Sequence, residues 1–187
     1  MKSLVKKAKA KHWFTIIAPD YLENKEIGKT LAEESNSLIG RRITINLVEL
    51  TNDLSKYYMK FTFKIKRVEG DKAFADFDGS ECLRDYISRM VLRKIRRIDT
   101  VQDLVTKDGV KIRVKGLAIV SRKINSKTKK LMRKRISEII KEEVEKSKIS
   151  EFVKKLIDNS IKNRIMQEAK KIYPIRNFEV RKTEVLS

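Results

Sequence analysis

The sequence predicts an α+β fold: an antiparallel, partly barrel-like sheet of two hairpins, followed by C-terminal helices and a closing strand. Three observations carry this reading. Tyr57, Met59, Phe61, Phe63 and Ile65 alternate with Tyr58, Lys60, Thr62, Lys64 and Lys66, the period of two that a half-buried strand requires. Over residues 121–146, Met132, Ile136, Ile139, Ile140 and Val144 recur every three or four positions, which places them on one face of a helix. Strand-like segments come first, helix-like segments second, and one strand-like segment last.

Taken in order, residues 1–11 are Lys-rich without apolar periodicity and read as a flexible basic arm. Residues 12–187 read as a single α+β domain, sheet-rich over 12–121, helical over 125–173 and closed by a strand over 177–185. The first strand, His12–Ala18, stops at Pro19, which cannot donate to a ladder. Arg41–Val48 sets Ile43, Ile45 and Leu47 against Thr44 and Asn46, a second strand. The alternating run from Tyr57 turns at Glu69-Gly70-Asp71 into a strand over Lys72–Phe77, the first hairpin. Asp76-Phe77-Asp78-Gly79 then reads as a turn, and Ser80 as the cap of a short helix, Glu81–Leu92, striped by Leu83, Ile87, Met90 and Val91.

Ile98–Val105, a turn at Lys107-Asp108-Gly109 and the alternation of Val110, Ile112 and Val114 with Lys111, Arg113 and Lys115 form the second hairpin. Its end, Leu117–Val120, reads as buried on both faces. After the long helix, Ser150 can cap a helix whose face is Phe152, Val153, Leu156 and Ile157. Asp158 or Asn159 can cap another, striped by Ile161, Ile165, Ala169 and Ile172, which Pro174 ends. Phe178 and Val180 mark the closing strand, Asn177–Val185.

The charge balance selects the partner. Lys plus Arg number 45 against 25 Asp plus Glu, a net charge of +20, in a chain whose 41% hydrophobic content supports a core. Self-repulsion of that size is offset best by a phosphate-rich partner. A membrane surface fits less well: there is no lipidation motif and no basic helix with an exposed Trp/Phe face. No run approaches the ~18 apolar residues of a membrane span, and the Lys-interrupted N-terminus is no signal peptide. One cysteine, Cys82, allows neither an internal disulfide nor a Cys-based zinc site. A reducing, cytoplasmic setting is expected, and no cofactor.

The long helix concentrates the charge. Its first half carries Arg122, Lys123, Lys127, Lys129, Lys130, Arg133, Lys134 and Arg135 with no acidic residue among them, and its second half turns acidic at Glu138, Glu142, Glu143 and Glu145. Cations at a helix start oppose the macrodipole, so an external polyanion is the natural compensation. A second cluster, Arg84, Arg89, Arg93, Lys94, Arg96 and Arg97, is opposed only by Asp85. Its arginine forks suit bidentate phosphate contacts and base stacking. With the arm, the candidate RNA-contacting residues are Lys6, Lys7, Lys9, Lys11, Arg41, Arg42, Arg89, Arg93, Lys94, Arg96, Arg97, Arg122, Lys123, Lys127, Lys129, Lys130, Arg133, Lys134 and Arg135. Phe61 and Phe63 could stack bases, but Ile65 on the same face assigns them to the core.

Catalytic patterns are wanting. Gly28-Lys29-Thr30 resembles the end of a phosphate loop, yet position 23, where glycine is required, holds Glu23. Asp76-Phe77-Asp78-Gly79 lacks the remaining ligands of a calcium loop. Asp76, Asp78, Glu81 and Asp85 could be the metal-holding carboxylates of a nuclease, one using Asp76, Asp78 and Asp85, but no sequence-adjacent His or Lys supports them. His12, the sole histidine, has no triad or metal partner. The chain reads as a binding protein, not an enzyme, with no catalytic residues.

Several local sequences then fall into a family pattern: Lys11-His12-Trp13-Phe14, Ala18-Pro19, Ile27-Gly28-Lys29-Thr30, Gly40-Arg41, Asn52-Asp53-Leu54, Leu83-Arg84-Asp85 and Thr106-x-Asp108-Gly109. The ending is more specific: Ile165 through Ala169, Ile172-Tyr173-Pro174, Val180-Arg181-Lys182 and Val185-Leu186. From Lys11 onward the chain closely resembles the S-three-a-e (S-one-e) family of archaeal and eukaryotic small-subunit ribosomal proteins. The resemblance implies a structural component of the small ribosomal subunit, bound to small-subunit rRNA on the platform near the mRNA exit. Neighbouring platform proteins and, near the exit, mRNA are the implied further contacts. His12 and Phe14 stand where the family suggests Lys and Tyr, and the long eukaryotic tails are lacking, which implies an archaeal-type member. The alternative from the residues alone is a nucleic-acid architectural protein unrelated to the ribosome.

Overall fold

A computed structural model describes residues 10–93, 95–120 and 123–186. Its strands are β1 (His12–Ile17), β2 (Glu26–Ala32), β3 (Arg42–Asn46), β4 (Met59–Glu69), β5 (Lys72–Cys82), β6 (Arg96–Val105), β7 (Lys111–Val120) and β8 (Asn177–Leu186). The α-helices are α1 (Leu47–Thr51), α2 (Arg84–Met90), α3 (Ser126–Lys146), α4 (Ile149–Ile157) and α5 (Ser160–Lys170).

All strands join one 8-stranded sheet, and β5 is its hinge. One edge of β5 pairs antiparallel with β4 along its length. The other edge is shared: β1 runs parallel to Lys72–Phe74, and β8 runs antiparallel to Gly79–Glu81. This divides the sheet into a β1–β5 half and a β6–β8 half. Register shifts in the β4–β5 pair, at Thr62/Phe63 and Ile65/Arg67, increase twist and curl the first half without closing it.

Each half has its own core. Phe61, Phe63 and Phe77 meet at centroid distances of 5.4 to 6.4 Å inside the first, with Phe14, Ile16 and Ile65 around them. In the second, the apolar stripe of α3 (Met132, Ile136, Ile139, Ile140 and Val144) packs on Ile98, Ile112, Val114 and Phe178 from the sheet. Helix α4 faces both, with Phe152 in one core and Val153 in the other. Phe152 is fully buried, so truncation to alanine would cost about 3–5 kcal/mol.

The halves are sewn together where β5 meets β8. The Ser80 N–H donates to Thr183 Oγ1 at 2.9 Å, and the two hydroxyls lie 2.8 Å apart. Gly79 permits this approach: a Cβ there would collide with the Thr183 carbonyl. Farther along, the Cys82 thiol donates to Val180 O at 3.3 Å, and burial pushes its pKa up to about 12. It is a packed, unreactive thiol.

Several expectations are corrected here. Asp76–Gly79 is not a turn but the middle of β5, because it pairs with Thr62, Phe63 and Lys64 of β4 and, at Gly79, with Glu184 of β8. Ser80 therefore lies buried in the seam and caps nothing; α2 starts only at Arg84. Tyr57 does not share the inward face of β4. A short 3-10 turn at Leu54–Lys56 delays the strand to Met59, leaving Tyr57 exposed and Tyr58 buried. Glu26–Ala32, unassigned from sequence, forms β2 and pairs antiparallel with β1. Helix α4 begins at Ile149, one residue before the expected cap; the Glu151 carboxylate instead accepts the Lys148 N–H at 3.1 Å. Asn159, at φ 57°, makes the left-handed turn between α4 and α5 without a side-chain cap.

Candidate nucleic-acid interface

Part of the positive charge is already compensated inside the chain. The second half of α3 is one such place. Glu142 and Glu143 are bound by Arg164, and Glu143 also by Lys155 at 2.6 Å. Burial opposes ionisation of Glu143, but the hydrogen bonds from Lys155 and Arg164 prevail and hold its pKa below the usual carboxylate range. Arg135 pairs with Glu138 and with Glu168, and Lys171 also reaches Glu168 at 2.6 Å. The sheet face turned away from the helices is the other. There Arg97 pairs with Asp99, Arg113 with Asp103, and Lys115 and Lys182 with Glu184.

A dense group of cations without ion pairs lies at one end of the β6–β8 half, while others, such as Lys60, Lys64, Lys72, Lys107, Lys111 and Lys154, are scattered over the described residues. The first turns of α3 present Lys127, Lys130 and Lys134 at i, i+3 and i+7, a face opposite the buried stripe, with Leu131 54% exposed among them. Lys129 flanks them, and among the described residues none of these lysines has an ion pair. Arg133 is exposed and donates to the Asp99 carbonyl at 3.1 Å, which pins α3 to β6 without neutralising the charge.

Topology brings the arginine cluster to the same place. β7 ends where β6 begins, Arg96 standing opposite Val120. β8 begins there too, since Asn177 pairs with Ile119 and the Arg176 N–H donates to Ile119 O at 2.8 Å. The Tyr173 hydroxyl donates to Lys123 O at 3.2 Å, drawing the start of the α3 segment onto the same end. Helix α2 joins through Asn177 Nδ2, which donates to Met90 Sδ at 3.0 Å, and through a buried carboxylate. Glu179, 2% exposed, accepts from Tyr86 at 3.0 Å and from Lys162 at 2.5 Å. Arg89, Arg96, Lys123 and Arg176 thus lie on segments that converge at this end, and among the described residues neither they nor Arg93 have a carboxylate partner.

The candidates from sequence separate accordingly. Arg89, Arg96, Lys123, Lys127, Lys129, Lys130, Arg133 and Lys134 lie on segments that converge at this end, and Arg93 follows α2 in the chain. Arg97 and Arg135 lie close by but are ion-paired within the chain. Lys11, Arg41 and Arg42 belong to the β1–β5 half. There Arg41 donates to Thr30 and to Leu31 O, and Arg42 pairs with Asp78 at 2.6 Å. Lys6, Lys7, Lys9, Lys94 and Arg122 lie outside the described residues, as does the arm up to residue 9. Arg176 escaped the sequence reading because it stands alone after Pro174; its only signal was its place at the start of a strand.

The acidic trio considered for a nuclease is dispersed. Asp76 pairs with Lys66 and Asp78 with Arg42, both at 2.6 Å, while Asp85 sits on α2. Among the described residues no group of three or more His, Cys, Asp or Glu could hold a metal ion, and no helix is long and apolar enough to cross a membrane.

Comparison with known proteins identifies a family. The model of the Ribosomal S3Ae family matches residues 1–187. The chain is similar to the small ribosomal subunit protein eS1 of Methanopyrus kandleri, at 40% identity over 184 residues, covering 96% of this chain and 87% of that protein. The protein of the same name from Sulfurisphaera tokodaii is 39% identical over 180 residues, covering 96% and 93% of the two chains. That of Sulfolobus acidocaldarius is 40% identical over 181 residues, covering 96% and 92%.

Proposed function

The chain belongs to the ribosomal S3Ae family, and on that premise we propose that it is a structural constituent of the small ribosomal subunit that grips small-subunit rRNA with the cation-rich end of its β6–β8 half. The observation that carries this reading is the unequal distribution of charge. Carboxylates meet Arg135, Lys141, Lys155, Arg164 and Lys171 around the second half of α3 and Arg97, Arg113, Lys115 and Lys182 on the outer sheet face, whereas among the described residues Lys127, Lys129, Lys130, Arg133 and Lys134 on α3, Arg89 on α2 and Arg176 before β8 meet none. Among the described residues, other cations without an ion pair, such as Lys60, Lys64, Lys72, Lys107, Lys111 and Lys154, are scattered over the chain, whereas the first turns of α3 gather Lys127, Lys129, Lys130, Arg133 and Lys134 side by side, and that density supports this end as the contact surface.

Phosphate contacts from these lysines and arginines position the protein, and RNA shape with 2′-hydroxyl contacts selects the site. The arm, with Lys6, Lys7, Lys9 and Lys11, extends the grip from the other half, and residues 12–187 act as one rRNA-binding unit. The site lies on the platform near the mRNA exit, in the cytoplasmic ribosome, among neighbouring platform proteins and within reach of mRNA. The role is structural, with no catalytic step and no cofactor.

Binding to small-subunit rRNA and to a scrambled RNA of equal length, measured across a salt series, tests this. The reading predicts an rRNA preference that survives at high salt, together with co-sedimentation with small subunits. Equal binding and simultaneous release of both RNAs would reduce the surface to a general polyanion grip and overturn it.

A further inference from the structure

Beside the cation-rich end, between the start of β4 and the start of β8, is an open cavity of about 350 Å³. Tyr57, Tyr86, Arg89, Met90, Ile119 and Arg176 line it. Its aromatic wall is braced. Tyr58 and Tyr86 stack at 4.0 Å, and Tyr57 meets both edge-on, at 6.0 and 6.4 Å. Tyr57 nevertheless remains 42% exposed, and the Arg89 guanidinium stands 6.0 Å from its ring centroid. Met90 and Ile119 supply apolar surface, Arg176 has no ion pair among the described residues, and no carboxylate lines the cavity.

We infer that this cavity takes a single unpaired nucleobase of the bound RNA, stacked at Tyr57, with its phosphate held by Arg89 and Arg176. The inference rests on the proposed rRNA grip and adds to it a site for one splayed-out nucleotide. The chemistry matches. Single-stranded RNA is recognised where unstacked bases lie on aromatic rings or guanidinium planes, and the volume falls at the small end of ligand pockets, roughly 300–1,000 Å³. Apolar walls with cationic rims suit a flat base carrying a phosphate. Sequence reasoning had no access to the site, because Tyr57, Arg89 and Arg176 meet only through the fold.

The test uses the full chain with two single strands of a dozen nucleotides, one RNA and one abasic with the same phosphates. Wild type should bind the base-bearing strand roughly tenfold more tightly. Tyr57→Ala should bring that ratio near one while leaving abasic binding almost unchanged, and Tyr57→Phe should retain the preference. A ratio near one in wild type, or a ratio that Tyr57→Ala leaves intact, overturns the inference, the former being the result expected if a neighbouring protein's side chain fills the cavity. Abasic binding and its salt dependence report the phosphate grip separately, so failure of that grip is recognised by itself. Should Tyr57→Ala not fold, ultraviolet crosslinking of 4-thiouridine RNA to the wild-type chain decides. Crosslinks at Tyr57 or Tyr86–Met90 support the site, and crosslinks confined to α3 refute it.

Discussion

Replacing Lys127, Lys130 and Lys134 together by alanine should flatten the salt dependence of rRNA binding, and a charge-matched control should not. These lysines occupy the outward face of α3, and among the described residues none has an ion-pair partner. Each phosphate contact contributes about 0.7 to the slope of log K against log salt on single strands and about 0.9 on duplex. Losing all of them lowers the slope by roughly 2 to 3 units. Between 50 and 200 mM salt, that difference amounts to about 20- to 40-fold in relative affinity. The control, Arg135→Ala, Arg164→Ala and Lys171→Ala, removes the same formal charge from bases already paired with Glu138, Glu142, Glu143 and Glu168. Its slope should move by less than about one unit, while its stability falls. Filter binding or fluorescence anisotropy over a salt series, with urea unfolding of each variant, makes the comparison. Equal flattening by both variants would mean that net charge alone governs binding, and would refute the assignment of a contact face.

Other outcomes follow from the seam, a helix cap and the carboxylates. Gly79→Ala forces a Cβ into the Thr183 carbonyl and should destabilise the chain by about 1–3 kcal/mol in urea unfolding; wild-type stability would mean that β5 and β8 do not approach this closely. Asp108 accepts the Ile149 N–H at 3.1 Å and ties the β6–β7 turn to the start of α4, so Asp108→Ala should cost about 1 kcal/mol and Asp108→Asn less. Hydrogen bonds lower the pKa values of Asp103 (from Arg113), Glu168 (from Lys171 and Arg135) and Glu184 (from Lys182 and Lys115). Groups with depressed folded pKa values stabilise fully above their unfolded values and lose that contribution as pH falls through the folded ones. Thermal stability should therefore be flat near neutrality and decline below about pH 4; a rise in stability there would contradict the ion-pair assignments.

The parts of the fold visible in sequence were those with local causes. The α3 stripe needed only a period of 3.6, and all of its expected apolar residues are buried. The β6–β7 hairpin likewise followed from alternation around Lys107-Asp108-Gly109. Asp76–Gly79 misled because Asp and Gly favour turns locally, whereas pairing with Thr62, Phe63 and Lys64 of β4, and of Gly79 with the distant Glu184, keeps this stretch extended. Glu26–Ala32 offered only two apolar side chains besides its end residue and a glycine, and pairing with β1 decided its state.

The proposed interface was half legible for a related reason. Linear clustering of Lys and Arg located α2 and α3 but could not separate Arg133 from Arg135, which differ only in what the fold sets against them. Arg133 meets a carbonyl of β6, Arg135 a carboxylate of α5. Nor could it supply Arg176, or the tyrosine-lined cavity between α2 and β8.

The most direct test of the central claim is lysine-reactivity footprinting of this protein free and in purified small subunits. Lys123, Lys127, Lys129 and Lys130 should react readily in the free chain and be strongly protected after assembly, more than Lys111, Lys115 and Lys182 on the outer sheet face. Unchanged reactivity of the α3 lysines, with protection confined to the outer face, would contradict the proposed orientation on rRNA.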